Sequence, residues 1–374
     1  MDFNYSEEQQ MLADSVRRFV QQDYDFDSRR KIVESEDCFS SQHWQTFAEL
    51  GWLMVPFTEA DGGLGGTAVD LLPVMEEFGR GMVVEPFLPC AVLAGGLLAE
   101  CGSEAQKAEL LPALIDGKLQ LAFAFTEPLG RFNLADIDCR AHRDGDHYQL
   151  DGHKSVVLNG GAAEQLIVAA RTNGDRCDRD GISLFLVDAG AVSRHSYKNV
   201  DGHGAADIRL DNVHVPAAAR LGEEGAALAA IEKCIDRATL AVCAEAVGAM
   251  DSALEKTLEY ARTRKQFGRP IGSFQALQHR MADMFIECEQ ARSILLMAAT
   301  QLDANGGVAP RAVSAAKSRI GRAARHLGQE AVQLHGGIGV TDELDVAHLF
   351  KRLTAVQYLF GSTDFHTARF ARCQ

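Results

Sequence analysis

The chain has no apolar run near the roughly 18 residues of a membrane-spanning helix, so no membrane partner is expected. It has no C-x-x-C pair, and its 12 histidines form neither H-x-x-x-H nor H-E-x-x-H, which predicts no metal site. Basic charge is short: 37 Lys and Arg stand against 52 Asp and Glu. The net charge of −15 argues against nucleic acid or an anionic membrane surface as partner. The nine cysteines are scattered and odd in number, and the first residues lack the apolar core of a signal peptide. Together these predict reduced thiols in a cytoplasmic protein. No internal repeat or low-complexity segment occurs. The only two tryptophans, Trp44 and Trp52, are expected to pack helices.

What is present reads in three parts. An amphipathic helix with a stripe of Phe3, Leu12, Val16, Phe19 and Val20 opens the chain. Helices are predicted over 42–50, 67–78 and 104–115, the second following the glycine-rich turn 61–66. From Leu119 the period changes to strand-like alternation, with short apolar runs at 147–150, 155–158, 165–170 and 182–187. The turn signals Asp144-Gly145-Asp146 and Asp151-Gly152 separate them. After Gly225 the helical period returns in four long segments, 226–265, 274–304, 310–334 and 342–371, which predict a four-helix bundle. The expected architecture is α+β and mainly α. It comprises a helical domain (1–118), a central antiparallel β domain (119–220) and the bundle (221–374). Helices, then strands, then helices exclude a doubly wound α/β sheet.

The stretch from Tyr260, YARTRKQFGRPIGSFQALQHRM, carries the most information. Gly268 and Pro270 are expected to stop one helix and Ser273 to cap the next. Arg264, Gln266, Phe267 and Gln275 are thereby gathered at one corner. A guanidinium fork, an aromatic face and carboxamides suit a dinucleotide's pyrophosphate and adenine.

This segment resembles the flavin-clamping corner of the acyl-CoA dehydrogenases almost word for word, and the likeness extends along nearly the whole chain. Ala124-Phe125-Thr126-Glu127-Pro128 resembles the family's strand ending in T-E-P, which touches the flavin ring edge. Lys154–Gly160 (KSVVLNG) resembles the second flavin-facing strand. Gln333-Leu334-His335-Gly336-Gly337-Ile338-Gly339 resembles the helix end that meets the ADP part of FAD across a subunit boundary; a glycine-closed helix end is the plainer reading, and the two are compatible. The resemblance implies FAD and an acyl-CoA substrate desaturated at its α,β bond. It also implies an electron-transfer flavoprotein as acceptor and a second acyl-CoA dehydrogenase subunit, in a homo- or hetero-oligomeric dimer of dimers. Phe125, Thr126, Val157, Leu158, Arg264, Gln266, Phe267, Gln275, Gln333, Gly336, Gly337 and Ser362 are the implied FAD contacts. Glu127 is expected to be structural.

The chain departs from the family pattern where chemistry occurs. Phe360, in YLFGST, stands where the family commonly has the proton-abstracting Glu. Some relatives carry the base on the first bundle helix before an Arg, and here that pair is Asp236-Arg237. Asp is one methylene shorter, so its carboxylate stands about 1.5 Å back. The competing reading is an ion pair of Asp236 with Lys233 on a solvated face. Val156 and Leu158 replace a flavin-shielding Trp and an N5-donating Thr, while Leu129-Gly130-Arg131-Phe132 replaces a small G-x-G-S run. An intact clamp beside an altered pocket resembles one subunit of the bacterial heteromeric α2β2 enzymes, which are associated with steroid side-chain or pimeloyl-type acyl-CoAs. Two alternatives stay open: a self-sufficient homo-oligomer using Asp236, and a non-catalytic acyl-CoA-binding or assembly protein on the same fold.

Overall fold

The computed structural model describes residues 5–373, so the expectation for Phe3 lies outside the described residues. Six helices come first: α1 (Glu7–Gln22), α2 (Phe26–Glu34), α3 (Ser41–Glu49), α4 (Ala68–Gly81), α5 (Gly96–Cys101) and α6 (Glu104–Ile115). Ser6 and Ser103 close capping boxes with Gln9 and Gln106, which is why α1 and α6 start where they do. Val16 and Phe19 are buried, as are Trp44 and Trp52, the latter tilted against Phe47 at 4.9 Å.

Eight strands follow: β1 (Leu121–Ala124), β2 (Arg140–Asp144), β3 (His147–Leu158), β4 (Gln165–Arg171), β5 (Ile182–Asp188), β6 (Ser193–Lys198), β7 (Gly204–Pro216) and β8 (Arg220–Leu221). They form one sheet in the order β6-β7-β3-β2-β4-β5-β8, with β1 beside β4. Most pairs are antiparallel as expected, but β1 and β2 each run parallel to β4. Asp151-Gly152, expected as a turn, lies inside β3 at an irregularity in its pairing with β7. The Asp151 carboxylate accepts from the Asn212 amide at 2.8 Å, and a Cβ at Gly152 would fall 2.6 Å from the Cys139 side chain. The dipeptide thus serves close strand approach rather than reversal.

The rest is helical: α7 (Leu228–Thr263), a small hairpin of β9 (Lys265–Gln266) and β10 (Arg269–Pro270), α8 (Gln275–Ala304), α9 (Pro310–His335), α10 (Asp345–Val356) and α11 (Thr363–Arg372). The expected fourth long segment is therefore two helices. The chain turns out of α10 because Phe360 (φ +58°) and Gly361 (φ +127°) are left-handed. A Cβ at Gly361 would lie 2.5 Å from His366 Nε2, so only glycine fits.

Two compact units result. The helical one comprises residues up to Lys31, Ala68–Val83 and the chain from Thr239 onward. Here Gly79 of α4 and Gly248 of α7 let the helices touch backbone to backbone. A Cβ on either would fall within 2 Å of the opposing Glu245 or Glu76 carbonyl. The second unit, Ile32–Thr67 with Val84–Ala238, holds the whole sheet. No helix among the described residues is long and apolar enough to cross a membrane.

Candidate functional site

In the sheet unit, the T-E-P segment and the end of β3 are joined by a buried ion pair. Lys154 Nζ donates to Glu127 Oε1 at 2.7 Å, with both side chains almost wholly out of water. The Glu127 carboxylate also accepts from the Asp138 and Cys139 amides at 2.7 and 3.0 Å. One residue along, the Ser155 amide donates to the Thr126 carbonyl at 2.9 Å. Phe125 stacks on Phe123 at 4.7 Å. These contacts fix Phe125 and Thr126 beside β3 within a single unit.

Along β3 the side chains do not simply alternate. Val157 is buried, so only its backbone is presented outward, whereas Val156 is 46% exposed with φ +51° and Leu158 is half-buried. Of the two expected flavin contacts Val157 and Leu158, Leu158 alone offers a side chain. Neither has a polar atom on it.

Asp236 sits on α7 in the same unit and is buried at 4% exposure. It therefore does not lie on the solvated face that the competing reading expected; Lys233 Nζ bonds both Glu100 oxygens at 2.9 and 3.0 Å. Arg237 points its guanidinium at the Pro56 and Gly66 carbonyls, at 2.7 and 2.8 Å. It thus straps the glycine-rich 56–66 loop to the helix bearing Asp236.

In the helical unit, the clamp corner differs from expectation in its backbone. α7 ends at Thr263, before Gly268 and Pro270, and the intervening residues make the β9–β10 hairpin, closed by the Ile271 amide on the Arg264 carbonyl at 2.8 Å. Phe267 and Gly268 both have positive φ, as a tight two-residue hairpin turn demands. Ser273 does not cap α8; its hydroxyl donates to the Pro270 carbonyl at 2.7 Å and Phe274 precedes the helix instead. The expected clamp residues lie on and beside this hairpin. Arg264, Gln266, Phe267 and Gln275 are all exposed, Phe267 at 91%. Phe274, which sequence reasoning passed over, supports the tip: Arg269 lies 4.2 Å over its ring and Phe267 meets it edge-on.

Tyr260 and His335 stack at 4.5 Å, which brings the end of α9 beside the end of α7. His335 is buried, its Nδ1 bonded to the Ala331 carbonyl, and burial lowers its pKa. It therefore acts as a neutral ring under the corner rather than a phosphate ligand. Gln333, Gly336 and Gly337 are exposed. Gly336 has φ +67° and ψ −146°, a conformation open to glycine only, and a Cβ on either glycine would meet nothing within 4 Å. Bare backbone with open space before it, beside exposed guanidinium and carboxamide donors, fits the pyrophosphate and adenine of FAD.

The α10–α11 turn is held by residues that sequence reasoning missed. Lys317 of α9, 1% exposed, donates to the carbonyls of Val356, Gln357 and Gly361 at 2.7, 3.3 and 3.0 Å. His366 Nε2 donates to the Phe360 carbonyl at 3.0 Å. Burial pushes the Lys317 pKa down to about 8, and burial plus the Lys317 charge pushes His366 down to about 4. Ser362 caps α11 by accepting from the Phe365 amide at 3.2 Å. A lysine amid VSAAKSRIG was the one available signal for Lys317.

Three family models tile the chain: the acyl-CoA dehydrogenase N-terminal domain on residues 6–118, the middle domain on 122–213 and the C-terminal domain on 225–373. The chain belongs to the acyl-CoA dehydrogenase family. That family's members are FAD-dependent oxidoreductases acting on CH–CH bonds. The chain is 30% identical to a probable acyl-CoA dehydrogenase, YngJ of Bacillus subtilis (strain 168), over 100% of this chain and 99% of that protein. It is also 30% identical to CarC of Acetobacterium woodii, a subunit of a caffeyl-CoA reductase–Etf complex, over 93% of each. Among solved structures it resembles a chain of the ChsE4–ChsE5 complex from Mycobacterium tuberculosis. That match has 27% identity and a TM-score of 0.90, covering 100% of this chain and 98% of the other.

Proposed function

We propose that this acyl-CoA dehydrogenase family chain works as one subunit of a heteromeric enzyme that desaturates an acyl-CoA thioester, with the nucleotide clamp turned toward a neighbouring subunit. The observation that carries the reading is Phe267, 91% exposed at the hairpin tip and surrounded by exposed Arg264, Gln266 and Gln275. A large aromatic exposed to water on a segment that also carries exposed guanidinium and carboxamide donors fits a surface completed by a ligand and a second chain. The ChsE4–ChsE5 likeness supports a partner of the same family. The CarC likeness supports an electron-transfer flavoprotein as acceptor.

Arg264 and Gln266 would bind the pyrophosphate, with Phe267, Gln275, Gln333, Gly336 and Gly337 about the adenosine end. Phe125, Thr126, Val157, Leu158 and Ser362 would meet the flavin. Bound FAD supplies the hydride acceptor. Asp236 would remove the proton α to the thioester carbonyl, and Arg237 keeps its helix fixed to the 56–66 loop. The division at 118/119 and 220/221 and a cytoplasmic location belong to the same proposal. The visible spectrum of the chain purified with and without its genomic neighbour tests it. Substoichiometric flavin alone and full flavin with the neighbour are expected; stoichiometric yellow protein alone, bleached by an acyl-CoA, would refute the heteromer.

One observation favours a second reading, a self-sufficient homo-oligomer. Asp236 is buried at 4% exposure on α7, the desolvated setting a carboxylate base needs. Asp236→Asn keeps the shape and removes the base, so turnover should fall by 10²-fold or more, on the order of general-base catalysis. Unaltered turnover would remove Asp236 from the mechanism.

A further inference from the structure

Val156 is a β-branched residue held at φ +51°, a conformation that costs on the order of 1–3 kcal/mol and persists only where neighbours impose it. The neighbour that imposes it is on β7. The Val156 amide donates to Asp207 Oδ1 at 3.1 Å, and the Tyr197 hydroxyl of β6 donates to the same oxygen at 2.9 Å. His195 stands directly across the ladder from Asp207, and His153 Nε2 lies 4.0 Å from its other oxygen. Burial alone would raise the Asp207 pKa. The amide and hydroxyl bonds and the two histidines outweigh it and hold the carboxyl below its ordinary value. Asp207 is therefore an anion gripping one strained peptide.

The consequence is a change of face. Lys154 pairs with Ile208 and Val157 with Ala206, so the ladder slips between them by one residue. Lys154, Val157, Ile208 and Ala206 are all buried. In an unbroken strand, residues three apart point to opposite faces; only the Ser155–Val156 bulge lets both Lys154 and Val157 point inward. It also turns Leu158, paired with Ala205, onto the more open face shared by Asp207 and Tyr197. Without the bulge, either Lys154 would leave Glu127 or Leu158 would enter the core.

We propose that Asp207, backed by Tyr197, is a positioning residue that locks the Ser155–Val156 bulge and so sets which face of β3 is presented to the flavin. This rests on the reading of β3 as a flavin-facing strand. The test uses the flavin-loaded protein, purified with any partner chain that accompanies it. Amide hydrogen exchange across residues 155–158 reads the bulge, and FAD dissociation by flavin fluorescence reads the site. Asp207→Ala should speed exchange at Val156 and weaken FAD by about tenfold, whereas Asp207→Asn, which keeps the acceptor, should lose less than about threefold. In a Val156→Gly background, where the left-handed turn carries no penalty, Asp207→Ala should cost less than about threefold. Unchanged exchange in Asp207→Ala overturns the proposal. So does faster exchange with undiminished flavin, or an equal loss in both backgrounds. An unmutated preparation without flavin would instead overturn the reading of β3, and the proposal with it.

Discussion

Lys154→Met should destabilise the sheet unit severely, and Glu127→Gln should undo part of that harm. The two charges are 2.7 Å apart with side-chain exposures of 0% and 4%. At an effective dielectric of 20 their attraction is about 6 kcal/mol, and withdrawing each ion from water costs several kcal/mol against it. The net value of the pair is therefore small. Removing one member is different, because the survivor keeps its desolvation cost without compensation. Lys154→Met leaves a carboxylate with only the Asp138 and Cys139 amides, so a loss of about 3–5 kcal/mol is expected. With Glu127→Gln added no charge is buried, but the Asp138 and Cys139 amides donate to different oxygens and the single Gln oxygen serves only one of them, so the double variant should remain about 1–3 kcal/mol below the parent.

Urea unfolding of the four proteins, followed by far-UV circular dichroism, measures the coupling where the denaturant slopes agree. Flavin retention supplies a second readout, since the pair ties Thr126 to β3. A single variant costing less than about 1 kcal/mol would refute the reasoning. So would a double variant as unstable as the two singles summed, because either result would mean that water reaches the pair.

Three further outcomes follow from the helical unit. His366 titrates at about 4 when folded and near 6.5 when unfolded, so its contribution is complete above pH 6.5 and is lost as pH falls toward 4. That is about 3 kcal/mol at most, and His366→Phe should flatten this limb of an acid-unfolding curve. Arg352 Nε and Nη2 each bond a Glu245 oxygen at 2.6 Å in a fully enclosed fork. Arg352→Met should cost about 3–5 kcal/mol by urea unfolding, and Arg352→Met with Glu245→Leu much less. Gly361→Ala should cost more than about 1 kcal/mol, because the added methyl meets His366 and Phe365 in a left-handed turn; wild-type stability would show that the turn refolds freely.

The parts legible in the sequence were those encoded within one turn of chain. The apolar runs at 165–170 and 182–187, which become the almost wholly buried β4 and β5, needed no distant partner. β6 escaped because SRHSYK is largely exposed and carries no apolar alternation. The break between α10 and α11 escaped because its determinant, Lys317, lies about 40 residues upstream on α9. The bulge in β3 escaped for the same reason, being set by Asp207 some 50 residues later.

Those non-local restraints hold strained backbone in both units. Among the described residues eight other than glycine have positive φ, and Arg131, Val156, Asn159, Phe267 and Phe360 among them fall in or next to the segments proposed to meet flavin and substrate. Strain of this kind costs on the order of 1–3 kcal/mol per residue and is retained only where surrounding bonds hold it. At Val156 the holder is Asp207, and at Phe360 it is His366 with Lys317 beside it. A buried lysine and a buried histidine spent on one turn are expensive ways to build a mere connection. The side chains of Val156 and Phe360 carry no group that transfers a proton or forms a hydrogen bond, yet the backbone beneath each is held at positive φ by named side chains. Within each unit, a strained residue held by buried or ionised side chains is better explained as a shape that is used than as a mere connection.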